Sequence, residues 1–307
     1  MAPPKSSEVT VGKRKLKLTN LDKVLYPKTG FTKGEVIDYY ARVADAILPH
    51  LRGRPLTLKR YPDGVEGFNF YEKRCPKHRP EWIKTATVLA DRVGEIDFCL
   101  CDNRPTLVWL AQLAALELHP SLAKATRIEH PTVLAFDLDP GPPADVIDCC
   151  RVAIRLRELF ADLGLECFPK TSGSKGMQVY VPLNGQVSYE KTTPFAHAIA
   201  LLLEKQYPKE VVSKMTKELR KGKVFVDWSQ NTKSKTTIAV YSLRARERPT
   251  ASTPLEWDEV KSALRSRKAE RLSFEAEEVL KRIDKRGDLF EPVLKLRQRL
   301  PMLDDVG

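Results

Sequence analysis

The spacing of apolar residues changes several times along the chain, and each change predicts an element. In KGEVIDYYARVADAILPHLRG the apolar positions recur at helical spacing and stop before Gly53, which predicts one helix. RPLTLKRYP and GFNFYEKR alternate like strands, joined by the turn-rich DGVEG. TLVWLAQLAALELH is apolar almost throughout and predicts a mostly buried helix. VLAFDLDP predicts a strand, and ADVIDCCRVAIRLRELFADLGL a long amphipathic helix ending at Gly164. ECFPKTSGSKGMQVYVPL then reads as strand, glycine loop and strand. TPFAHAIALLLEKQ predicts a helix, KVFVDWSQN and TTIAVYSLRA two strands, and the charged stretch from Leu255 onward helices. No internal repeat or clear linker breaks this order. Strands and helices mixed in this way predict an α+β fold, in two lobes sharing one cleft.

Composition narrows the class. The chain has 307 residues, 42% of them hydrophobic, enough to bury a large core. Lys and Arg number 52 against 40 Asp and Glu, a surplus of 12. Such a surplus serves polyanions, with nucleic acid the first expectation and an anionic membrane surface the second. No apolar run approaches the roughly 18 residues of a spanning helix, and no signal peptide opens the chain, so a soluble intracellular protein is expected. MAPPKSSEVTVGKRK, residues 1–15, reads as a basic disordered tail ahead of a single bilobal domain over 16–307. The six cysteines are expected as reduced thiols. Cys75, His78, Cys99 and Cys101 offer four soft ligands, yet their spacing departs from Cys-x2-Cys, which favours ordinary buried thiols over zinc.

Candidate chemistry begins with Asp137 and Asp139. A strand sends residues i and i+2 to one face, so the two carboxylates repel unless a cation lies between them. Taken alone they could be a solvated strand end. The loop Thr171-Ser-Gly-Ser-Lys-Gly176 can turn backbone N–H groups toward an anion beside the charge of Lys175. Alone it is a hairpin turn, and it does not match the GxxxxGK[ST] phosphate loop. Asp227, near the end of an apolar strand, is by itself a cap or an edge charge. Together, three carboxylates from two strands beside such a loop, in a basic protein, fit phosphoryl transfer with two divalent ions about 4 Å apart. Hard oxygen ligands suit Mg²⁺ or Mn²⁺, and no organic cofactor is expected.

VLAFDLDPGP, TSGSKGMQVYVPL and KVFVDWSQNTKSKTTIAVYSLRAR resemble the three motifs of the archaeo-eukaryotic primase superfamily, and within it the bacterial polymerase domain attached to ligase D. LTNLDKVLYPKTGFTKGEVIDYY, GFNFYEK and LAALELH resemble the same family, so the likeness covers nearly the whole chain. It implies a two-lobed primase-polymerase fold, with strands from two layered sheets flanked by helices around a catalytic cleft. It also implies a template-dependent nucleotidyltransferase that fills short 5′-phosphorylated gaps, prefers ribonucleotides over deoxyribonucleotides and favours Mn²⁺. Carried over by position, Asp137, Asp139 and Asp227 are the metal ligands, and Ser172, Lys175 and Gly176 the triphosphate loop. His119, Gln230 and Arg244 match positions around the incoming nucleotide. Asn20, Lys23 and Lys33 match a pocket for the 5′-phosphate. Phe70 and Tyr71 match aromatics that stack on bases, and Arg220 a loop residue near the primer strand. Without the resemblance, Lys23 and Lys33 read as surface charge and Phe70 as core.

One position departs from the pattern. Where the family carries a His that touches the triphosphate, this chain has Gln178, a neutral donor, and the grip is expected to weaken. Lys-x-Asp-Gly, the adenylated lysine motif of DNA ligases, is absent, so a separate ligase partner is expected. The expected setting is DNA repair on the bacterial nucleoid, by end joining or excision repair. The competing expectation is a catalytically weak gap- or end-binding module that recruits a ligase.

Overall fold

The structure is a computed structural model, and it describes residues 6–90, 94–185 and 187–302. The chain folds as two compact units, each assembled from separated stretches. Unit 1 takes the described residues through Ser121, then Ile238–Ala251 and Glu275–Gly287. Unit 2 takes Leu122–Thr237, Ser252–Phe274 and the described residues from Asp288 onward.

Unit 1 opens on a hairpin, β1 (Ser6–Val11) with β2 (Arg14–Thr19), turning at Gly12 with φ +58°. Residues 6–15 were expected as tail. The alternation of Lys and Leu in Arg14–Thr19 buries Leu16 and Leu18 on one face and gives β1 a partner to pair with. The expected tail residues 1–5 lie outside the described residues. A second small hairpin joins β3 (Val24–Tyr26) to β4 (Phe31–Thr32). The first predicted helix is two: α1 (Lys33–Arg42) and α2 (Ala44–Leu51), broken at Val43. Thr32 and Glu35 cap α1 reciprocally. Its apolar face carries Tyr39 and Tyr40, whose hydroxyls donate to Tyr241 O at 2.7 Å and Leu116 O at 2.6 Å.

The main sheet of unit 1 contains β5 (Leu56–Arg60), β6 (Phe70–Glu72), β7 (Thr85–Ala90) and β8 (Gly94–Cys99), ordered β6-β5-β8-β7. TLVWLAQLAALELH does not continue as a helix. It splits into α3 (Arg104–Gln112) and β9 (Ala115–Pro120), with Ala114 at φ +56° between them, and β9 pairs with β5. A run that is apolar on every side has no period to tell helix from buried strand. TTIAVYSLRA is likewise no strand. It returns to unit 1 as irregular chain, where Ala239 N–H donates to Leu118 O at 2.9 Å. Cys75 and Cys99 form a disulfide, against the expectation of reduced thiols, and this takes both out of any zinc site. Cys101, Cys149, Cys150 and Cys167 are buried free thiols.

Unit 2 is built on β10 (Val133–Pro140), followed by α4 (Val146–Asp162), β11 (Phe168–Thr171), β12 (Met177–Pro182), α5 (Tyr189–Gln206), β13 (Val211–Val212) and β14 (Val224–Asp227). The strand order is β11-β12-β10-β14-β13, antiparallel except for β13 with β14. The period of two sorts this sheet into two faces. Leu134, Phe136, Leu138, Met177, Val179 and Val226 form one face and join the core with apolar residues of α4 and α5. The other face carries the polar residues of the same strands. Helices Trp257–Ser266 and Glu291–Lys295 complete the unit, while Ala276–Arg286 belongs to unit 1.

Candidate active site

Antiparallel register partners share a face, and in unit 2 the register draws one line of polar side chains across four strands. Lys170 on β11 pairs with Gln178 on β12, Gln178 with Asp137 on β10, and Asp137 with Asp227 on β14. Asp139 lies two residues along β10 on that face, opposite Phe225. The sheet therefore brings together all three predicted carboxylates. Burial pushes the Asp137 carboxyl up to about 7, Asp139 and Asp227 push the same way, and Lys170 and Gln178 pull against them. Asp137 Oδ1 is buried with no hydrogen-bond partner.

Asp227 is tied by its own neighbours. Its Oδ1 accepts from Ser229 N–H at 2.9 Å and Ser229 Oγ–H at 2.6 Å, and its Oδ2 from Gln230 Nε2 at 2.8 Å. Gln230, expected near the nucleotide, thus sits on a carboxylate. Asn231 then accepts from Ala135 N–H and donates to Ala135 O, both at 2.8 Å, locking the turn to β10.

The glycine loop is held against the same strand. A Cβ on Gly176 would lie 2.1 Å from Leu138 O, so only glycine lets the loop approach between the two aspartates of β10. Ser172 is buried, and its Oγ accepts from the N–H groups of Ser174 and Gly176, both at 3.2 Å. Two amides expected to face an anion are therefore engaged within the loop, while Lys175 is exposed. Gln178 is buried, with Nε2 donating to Thr237 Oγ1 at 2.9 Å and Oε1 buried without a partner. Arg220 lays its guanidinium 3.8 Å from the Phe225 ring centroid and donates to Met215 O at 2.6 Å. Its carbonyl would stand 1.9 Å from a Cβ on Gly141, the glycine that follows the Asp137-Leu-Asp139-Pro140 strand end.

The remaining predicted residues lie in unit 1. His119 and Glu117 on β9 share a face with Lys59 and Tyr71, and Tyr71 sets its ring edge-on to His119 at 5.8 Å. Phe70 takes the opposite face of β6, under Arg60 and stacked with Phe68 at 5.5 Å, so the two predicted stacking aromatics do not share a surface. Arg244 forms an ion pair with Glu117 at 3.3 Å. Asn20, Lys23 and Lys33 do come together: Lys23 N–H donates to Asn20 O and Lys33 N–H to Lys23 O. Lys33 is no surface charge. It is 7% exposed, its Nζ donates to Thr19 O at 2.9 Å, and burial, with Lys23 and Arg60 nearby, pushes it down to about 8. Lys23 is exposed and paired with Asp63 at 2.9 Å.

Two buried charges escaped the sequence reading. Lys170, with no measurable exposure, donates to Ser252 Oγ at 2.7 Å. Its signal is a lone lysine in an apolar strand just ahead of the glycine loop. Glu117 was hidden by reading ALELH as helix, since only the strand period puts it beside His119.

Against this geometry, the model of the LigD primase-polymerase domain matches residues 32–290. The chain belongs to the LigD primase-polymerase family. Members of this family are nucleotidyltransferases. The chain is 43% identical over 281 residues to the multifunctional non-homologous end joining protein LigD of Mycolicibacterium smegmatis, covering 91% of this chain and 36% of that protein. It is 32% identical over 274 residues to the bifunctional non-homologous end joining protein LigD of Bacillus subtilis, covering 89% of this chain and 43% of that one. The chain therefore spans well under half the length of these relatives. The solved polymerase domain of Mycobacterium tuberculosis ligase D, in complex with DNA, superposes with a TM-score of 0.83 at 43% identity, covering 92% of this chain and 99% of that one. The LigD polymerase domain thus shares the mixed α and β fold seen here.

Polymerases of this kind use divalent metal, and the residues present fit one. The fit rests on oxygen donors only, on repulsion within the row, and on the unpartnered Asp137 Oδ1. Among the described residues, no three His, Cys, Asp or Glu side chains form a ready-made cage. No helix among the described residues is long and apolar enough to cross a membrane.

Proposed function

We propose that this chain is a template-directed polymerase that fills short gaps bearing a 5′-phosphate, prefers ribonucleotides, and acts in the joining of broken bacterial DNA. The observation that carries the reading is the pairing of Asp137 with Asp227 beside a loop that Gly176 seats against β10. Divalent ions, Mn²⁺ or Mg²⁺, held by Asp137, Asp139 and Asp227, would supply Lewis-acid stabilisation of the charge that develops on the phosphoryl oxygens. The chain's own residues do the rest. Lys175 presents its ammonium to the triphosphate, and Ser172 keeps the loop in shape for it. Gln230 holds Asp227 in one orientation. Lys170 offsets part of the negative charge of the row. Lys23 and Lys33, converging through their backbones near Asn20, bind the 5′-phosphate at the far side of a gap. His119 and Arg244 contact the nucleotide, Tyr71 and Phe70 stack on separate bases from opposite faces of β6, and Arg220 approaches the primer strand. The surplus of 12 positive charges supports a DNA substrate. The reaction joins a primer 3′-oxygen to the α-phosphorus and expels pyrophosphate, leaving a nick for a DNA ligase.

Extension of a labelled primer across a short 5′-phosphorylated gap, with Mn²⁺ and either ribo- or deoxyribonucleotides, tests the reading. Faster filling with ribonucleotides is expected, and slower filling when the 5′-phosphate is removed. Absence of any incorporation would sink it in favour of a gap-binding module.

A further inference from the structure

Glu117 is a carboxylate in a strand whose six residues are all buried. It is 3% exposed, and a charge so placed must be matched by partners. It has three. Oε1 accepts from Ala245 N–H at 3.1 Å and faces Arg244 Nε at 3.3 Å. Oε2 lies 3.0 Å from His119 Nε2. Two of the partners come from Ile238–Ala251, the stretch that returns to unit 1 after unit 2. Burial pushes the Glu117 carboxyl up, but His119, Arg244 and Ala245 N–H outweigh it and hold it at about 2.

An ionised carboxylate can only accept, so Nε2 of His119 must carry the proton. Burial pushes His119 down, and the charges of Arg244 and Lys59 add to that against the upward pull of Glu117, so the ring is neutral and Nδ1 carries a lone pair. We propose that Glu117 is a positioning residue: it fixes the Nε2–H tautomer of His119, presents Nδ1 as an acceptor for an O–H or N–H donor of the nucleotide, and holds Arg244 beside it. The proposal rests on the nucleotide-binding role given above to His119 and Arg244.

Glu117→Gln separates the possibilities. Ala245 N–H and Arg244 keep the side-chain oxygen, so the amide NH₂ faces His119 and requires Nε2 to accept, which moves the ring proton to Nδ1. Long-range ¹H–¹⁵N spectra of the labelled protein, with His119 identified by its loss in His119→Gln, report the tautomer without ligand. ATP affinity on gapped DNA with a templating thymine reports recognition. We expect the Nε2–H form in the wild type, the Nδ1–H form in Glu117→Gln with ATP bound about tenfold more weakly, and Glu117→Asp close to wild type on both counts. Unaltered gapped-DNA affinity would accompany these changes. An Nδ1–H or cationic ring in the wild type, or a flipped ring with unchanged ATP affinity, overturns the positioning role. Should the glutamine variant not fold, the wild-type tautomer and Glu117→Asp decide by the same criteria. Wild-type protein that shows the Nε2–H form yet binds no ATP overturns the nucleotide-binding reading instead.

Discussion

Asp137 and Asp227 are direct cross-strand partners, a placement that two like charges disfavour. Ionising Asp137 therefore costs stability while no cation is present. Its folded pKa, about 7, lies above the unfolded value, so the stabilisation from its protonated form is full below about pH 4 and is lost as pH rises through 7. Asp137→Asn, free of that penalty, should melt a few degrees above wild type at pH 8 in chelator, with the gap closing by pH 5. Mn²⁺ should raise the wild type and barely move the variant, and primer extension by the variant should fall at least about a hundredfold. Scanning calorimetry and gap filling check the set. A variant that polymerises near the wild-type rate removes the metal-ligand assignment.

Replacing Lys23 and Lys33 together with Ala should reduce the preference for phosphorylated over unphosphorylated gaps by about tenfold or more. Lys33 sharpens the test. Its pKa of about 8 means that it is charged below that pH and neutral above it, so the phosphate preference should fade from pH 7.5 to 9. Anisotropy titrations on both substrates measure it. Equal losses on both would make the lysines generic DNA contacts.

Gln178→His places a cation donor between Lys170 and Asp137 at the cost of the bond to Thr237, about 1 kcal/mol. The nucleotide KM should fall, most clearly below about pH 6.5 where the imidazole is charged. An unchanged or raised KM at every pH would mean that position 178 does not reach the triphosphate.

Thiol titration of denatured, unreduced protein should find four of the six cysteines. Cys75→Ser should lower stability by about 3 kcal/mol, as expected for a cross-link with a sequence separation of 24. Six thiols in protein purified without reductant would refute the bond.

Much of unit 2 was legible because its signals are local. Strand alternation around Asp137 and Asp139 and the small residues of the glycine loop each declare themselves within a few residues, whereas KVFVDWSQN, read as one strand, leaves the strand after Asp227 for a turn at Trp228–Gln230. What stayed hidden depends on partners far along the chain. Lys170 donates to Ser252, Glu117 accepts from Ala245 and pairs with Arg244, and the strand at Ala115 pairs with β5.

The route of the chain carries a consequence for biosynthesis. Unit 1 begins at the N-terminus but closes only with Ile238–Ala251 and Glu275–Gly287. On the ribosome, Tyr39 and Glu117 emerge long before Tyr241 and Ala245, the residues that satisfy their polar atoms. Unit 1 must therefore wait, incompletely bonded, while some hundred residues of unit 2 are made. A fragment ending near Ser121 would expose those groups and should not persist as a folded piece.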